Sequence, residues 1–107
     1  MSSLKKLGLL NRQGMLACNE GRCQDALFQL TQADRLARSM ESPLHEAKVR
    51  NNMGVVYQMN GKFEEARVCF RIAADRAVAG AGDGNCLHRT INRNLDNLLT
   101  RSKGAEA

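Results

Sequence analysis

Tryptophan is absent from this chain, proline occurs once, and the aromatic residues are one Tyr and three Phe. Side chains that could stack on bases are therefore nearly missing outside the apolar stripes, which argues against a nucleic-acid partner. No apolar run approaches the ~20 residues that span a bilayer. Leu7–Leu10 follows a basic start but is too short for a signal peptide and gives way to Asn11-Arg12-Gln13. These absences predict a soluble chain with no membrane contact and, by default, a cytoplasmic location. No β-branched run alternates with polar residues, so strands are not expected.

The chemistry of catalysis is equally thin. The four cysteines, Cys18, Cys23, Cys69 and Cys86, form no CxxC pair, and His45 and His88 lie far from the first two. A metal site needs ligands paired at short spacing, so none is expected. The cysteines read as reduced thiols, three of them wholly or partly buried as small hydrophobes. Cys86 falls near a helix start, where a thiolate is favoured. There is no phosphate loop, no carboxylate pair and no nucleophile beside a histidine. Neither enzymatic activity nor a cofactor is expected.

What is present favours helix. Ala, Leu, Met, Arg, Glu and Gln are plentiful, and all are good helix formers. A length of 107 residues suits one domain with a modest core. The net charge of +5 is dispersed, with the strongest basic bias in the last helix at Arg89, Arg93, Arg101 and Lys103. Such a balance favours anionic partners, acidic peptides among them.

The apolar spacing predicts five helices. The first runs from about Ser3 to Glu20, with Leu4, Leu7, Leu10, Gly14 and Ala17 on one side, and Gly21 closes it. The second spans about Cys23 to Met40, with a stripe of Ala26, Phe28, Leu30, Ala33, Leu36, Ala37 and Met40. Ser42 is expected to cap the third helix, and Pro43 suits its first turn. That helix carries Leu44, Ala47, Val49, Met53, Val56 and Tyr57 and ends at Asn60-Gly61. The fourth runs from about Lys62 to Ala79 over Phe63, Ala66, Phe70, Ala73 and Ala77. Residues 80–84 read as a glycine-rich linker. The fifth helix, about 85–102, buries Leu87, Ile91, Leu95, Leu98 and Leu99, and 103–107 read as a disordered tail.

A shift of 40 residues sets Asn11 on Asn51, Gly14 on Gly54, Gly21 on Gly61, Ala26 on Ala66, Ala33 on Ala73 and Ala37 on Ala77. A mid-helix glycine costs about 1 kcal/mol against alanine. Gly14 and Gly54 thus imply a closely approaching helix, as do the recurring alanines. A single helix pair cannot bury its apolar faces alone, so the pairs are expected to stack.

The second copy resembles a tetratricopeptide repeat (TPR), with Met53-Gly54, Tyr57, Ala66 and Phe70 in the family's places, followed by Ala73. In the first copy Gln13-Gly14, Ala17, Ala26, Leu30 and Ala33 stand there. The family's leading Trp is replaced by Leu10 and Arg50. The long period and the Asn51-Asn52-Met53-Gly54-Val55-Val56-Tyr57 phrase are most similar to the kinesin-light-chain type. The resemblance implies an all-α, right-handed superhelix in one domain: repeat 1 over about 4–40, repeat 2 over about 43–79, and a capping helix.

It further implies that the first helix of each pair lines a concave groove for a peptide or protein segment. The groove residues would be Asn11, Arg12 and Met15, then Lys48, Asn51, Asn52, Val55 and Met59, and finally Arg89 and Arg93, with Gly8, Cys18, Asn19, Gln58, Asn92, Asp96 and Leu99 beside them. The capping helix aligns with a shift of 41. Asparagines suit a peptide backbone, the cations suit carboxylates, and the methionines are adaptable contacts. Asn52, Arg89 and Arg93 match part of the clamp by which some family members hold a C-terminal carboxylate. An adaptor, chaperone or regulatory role follows from the resemblance. The alternatives are nucleic-acid binding through the basic faces and a structural dimer, formed through the last helix around Leu98 and Leu99.

Overall fold

The computed structural model describes residues 2–82 and 84–106, with side chains described as far as Arg101. The described residues form five helices: α1 (Ser3–Asn19), α2 (Cys23–Ser39), α3 (Pro43–Met59), α4 (Phe63–Ala81) and α5 (Cys86–Glu106). No strand occurs among them.

The turns explain the boundaries. After α1, Gly21 adopts φ +81° and Arg22 N–H donates to Ala17 O at 2.9 Å. After α3, Gly61 adopts φ +76° and Lys62 N–H donates to Tyr57 O at 2.8 Å. Both are glycine-closed helix ends that satisfy otherwise orphaned carbonyls. The turn between α2 and α3 repeats this bonding, with Ser42 N–H on Ala37 O at 3.2 Å. There the left-handed residue is Glu41, at φ +53°. Ser42 does not cap α3 with its side chain. Its hydroxyl pairs instead with Nδ1 of His45 at 2.6 Å.

The glycine-rich segment is shorter than its composition predicts. Helix α4 continues through Gly80 to Ala81. A Cβ on Gly80 would lie 2.6 Å from Cγ of Leu44, so this glycine lets the end of α4 sit against the start of α3. Asn85 then ties α5 to α4. It accepts from His88 N–H at 2.9 Å and donates to Ala77 O at 3.1 Å and Gly82 O at 2.6 Å. Helix α5 runs to Glu106, beyond the expected end at 102.

Packing follows chain order: α1 against α2, α2 against α3, α3 against α4, and α4 against α5. In addition α1 touches α3, and α3 touches α5. Three helices thus lie side by side in one layer, with α2 and α4 in a second. The backbone fills a slab of 48 × 33 × 17 Å. Two apolar clusters occupy it. One joins α1, α2, α3 and Cys69, and the other joins α3, α4 and α5 around Phe70 and Ile91. Tyr57 packs against both.

The two mid-helix glycines sit at close approaches. A Cβ on Gly14 would meet Leu30 Cγ at 2.7 Å, and one on Gly54 would meet the Phe70 ring at 2.6 Å. Ala26, Ala33, Ala66 and Ala73 are fully buried, as the repeat requires. Three stripe residues are exposed: Leu4 at 55%, Phe28 at 65% and Leu99 at 38%. Phe28 lies two positions from Ala26, about 200° round the helix, so it cannot share the inner face. Leu99 is likewise turned about 100° from the buried Leu98. Leu4 lies in the first turn of α1, ahead of the buried Leu7.

Among the described residues one charge is buried. Asp34, 2% exposed, receives a two-pronged grip from Arg50 and a third contact from Arg38 at 3.2 Å. Arg50 occupies the position where the repeat resemblance leads one to expect a large aromatic. It ties α3 to α2 by charge-assisted hydrogen bonds.

Candidate functional site

Helices α1, α3 and α5 share one layer, and its geometry starts with paired amides. Asn52 Nδ2 donates to Asn11 Oδ1 at 2.7 Å, joining α3 to α1. Asn94 Nδ2 donates to Asn51 Oδ1 at 2.9 Å, joining α5 to α3. A third link is the contact of Cys18 Sγ with Met59 Sδ at 3.4 Å. Each amide keeps an unused donor or acceptor lobe. The asparagines expected to face a partner therefore also hold the three helices in register.

That register differs from the expected one at α5. Ile91 and Leu98 are buried against α4, and Leu95 is partly buried there. They occupy the places that Val49, Met53 and Val56 hold in α3. The correspondence is a shift of 42, not 41. It sets Asn94 on Asn52, Asn97 on Val55 and Arg101 on Met59. Consistently, a cavity of about 220 Å³ opens between α3 and α5, lined by Val55, Gln58, Met59, Asn94, Asn97 and Arg101. Asn94, Asn97 and Arg101 escaped the sequence reading. The signal was available, because Ile91, Leu95 and Leu98 share the spacing of Val49, Met53 and Val56.

The remaining predicted residues divide by exposure. Asn11, Met15, Asn51, Asn52 and Val55 are half-buried. Arg12, Lys48, Arg89 and Arg93 are exposed, and Met59 is 59% exposed. Gly8 and Arg12 border a shallow depression on α1 with Leu4, Lys5 and Leu9. By the corrected register, Arg93 stands at the place of Asn51 and Arg89 at that of Ala47. These two cations thus lie along the outer margin of α5 rather than over the cavity, where Arg101 is the basic group.

Two of the thiols are quiet. Burial pushes the Cys18 thiol up, and the neighbouring Cys23 adds to the effect. Burial also raises Cys69, partly offset by the nearby Arg50 guanidinium. A raised thiol stays protonated and is a poor nucleophile. Cys18 lies under Met59 as a soft, buried contact, while Cys86 is exposed.

The surface can therefore offer amide groups, an apolar strip of Val55 and Met59, and exposed cations on each helix. No family model matches the chain, and no curated protein or solved structure matches it either.

Proposed function

We propose that the chain is a TPR-type repeat module whose α1–α3–α5 layer binds an extended, acidic segment of another protein. The observation that carries the reading is the pair of amide bridges, Asn11–Asn52 and Asn51–Asn94, which join the first helices of successive units into one continuous face. The stacking order and the glycine contacts at Gly14 and Gly54 support the same repeat plan. Val55 and Met59 supply apolar contact, and Arg12, Lys48 and Arg101 supply charge. Backbone amides of the segment pair with the free lobes of the asparagines.

Binding to an array of acidic peptides, followed by titration calorimetry of the best one, tests this. Met59→Glu and Lys48→Glu are expected to weaken binding at least about tenfold each, since hot-spot truncations reach 2 kcal/mol or more. Asn52→Ala is a poor probe, because it also breaks a helix–helix bond. If no peptide binds, or if binding ignores Met59 and Lys48, the groove reading fails.

A further inference from the structure

The two ends of the helix stack are chemically unlike. At the amino-terminal end, Leu16 is 58% and Phe28 65% exposed. The internal repeat shows what such a face is built for. Leu16 and Gln13 stand at the places of Val56 and Met53, and Gln29 at that of Cys69. In the second unit those residues are buried, in the cluster to which α2 contributes. The first unit has no such cover among the described residues. At the other end, α5 turns out Asn92, Arg93, Asp96 and Thr100, and among its described residues Leu99, at 38%, is the one large apolar side chain that is exposed.

We propose that the outer face of α1 and α2 is a self-association surface, on which a second copy of this chain docks by the same face, head to head and antiparallel. A single helix seated as α2 sits on α3 would not suffice. Val68, at the place of Phe28, remains 53% exposed even with α2 present. Covering Leu16 and Phe28 together takes a two-helix surface. The outer face of α5 offers Leu99 but little other apolar complement, which disfavours head-to-tail stacking.

Charge sets the orientation. The hairpin end of the face carries Glu20 and Asp25, with Arg22 held between them at 3.1 Å from each. The opposite end carries Lys6 and Arg35. An antiparallel pairing brings the acidic end of one copy to the basic end of the other, twice, as two-fold symmetry demands. Phe28 of one copy then enters the depression of about 410 Å³ that Leu10, Gln32 and Leu36 border on the other. The centre of the face, Gln13 and Gln29, is uncharged, so no lone charge is desolvated.

Sedimentation velocity across a concentration series, in reducing buffer, tests the proposal. The expected species has twice the chain mass of 11.8 kDa. Phe28→Glu is expected to raise the dimer dissociation constant at least about 100-fold, as a central aromatic anchor does. Asp25→Lys weakens the dimer, and adding Arg35→Glu in the same chain restores it. Leu99→Glu, at the far end, leaves it unchanged. Circular dichroism confirms that each variant keeps its helices, which the exposure of these positions permits. Three results overturn the proposal: a wild-type monomer at several hundred micromolar, dissociation by Leu99→Glu equal to that by Phe28→Glu, or no rescue by the charge swap.

Discussion

Arg50 reaches across the α2–α3 boundary and donates from Nε and Nη2 to the two carboxylate oxygens of Asp34, at 3.1 and 3.0 Å. The Asp34 side chain is 3% exposed and that of Arg50 21%. Asp34→Ala would strand a cation that has little water to turn to. The expected loss is about 3 kcal/mol, at the lower end for a broken buried pair because Arg50 keeps some solvent. The double variant with Arg50→Met should lose less than the sum of the two single changes. A urea-denaturation cycle measures the coupling, and strict additivity would refute it.

Gly54 and Gly14 should respond differently to alanine. Propensity alone favours alanine by about 1 kcal/mol at both. At Gly54 the new methyl meets three atoms of the buried Phe70 ring within 2.9 Å. A packed ring cannot withdraw, and overpacking of this kind costs about 1–3 kcal/mol. Gly54→Ala is therefore expected to be destabilising by up to about 2 kcal/mol. At Gly14 the methyl meets Cγ and Cδ2 of the buried Leu30 at 2.7 and 2.9 Å and the Ala26 backbone oxygen at 3.3 Å; two atoms of a branched aliphatic chain crowd it rather than three of a rigid ring, so the loss should be smaller. Thermal melts of the two variants decide the order.

Glu41 carries the left-handed conformation that Gly21 and Gly61 carry at the other two turns. An L-residue there is strained by roughly 1–2 kcal/mol, while glycine brings back some unfolded-chain entropy. Glu41→Gly should therefore stabilise the fold by about 0.5–1 kcal/mol. A melting temperature raised by a few degrees would show it, and a lowered one would contradict it.

Three groups make stability fall in alkali. Burial raises the thiols of Cys18 and Cys69 and the Tyr57 hydroxyl above their ordinary values of 9.0 and 10.0. The unfolded chain then loses these protons first, so it binds fewer of them than the native state does. These groups leave stability unchanged below about pH 8 and lower it as pH rises past the ordinary thiol value of 9.0. Cys18→Ala/Cys69→Ala should flatten the decline. In the native protein a thiol reagent should modify the exposed Cys86 first and the buried Cys18 and Cys69 last. Mass mapping of the adducts checks the order.

Much of the architecture was legible because it rests on local spacing. Gly21 and Gly61 mark helix ends wherever a chain must turn left-handed, and Gly14 and Gly54 announce a close neighbour. At Phe28, Leu99 and Gly80 residue type points one way, whereas a helix settles their fate by angle and by what lies opposite. Gly80 reads as a break until Leu44 is seen against it. Asp34 is a surface residue by composition and a buried one by position, because only the fold brings Arg50 to it.

The helices, their order and the repeat follow from local sequence, since periodicity and turn chemistry act within a few residues. Tertiary structure alone decided how the helices lie in register. It linked Asn52 to Asn11 and Asn94 to Asn51, advanced α5 by one residue, and brought Arg101 to the cavity beside Met59. It also left Leu16 uncovered while burying Val56 at the same place in the second unit. Burial depends on which neighbour arrives, and a one-residue advance turns a helix by about 100°. The spacing of Ile91, Leu95 and Leu98 admits the advance of α5, but no local pattern says which neighbour arrives.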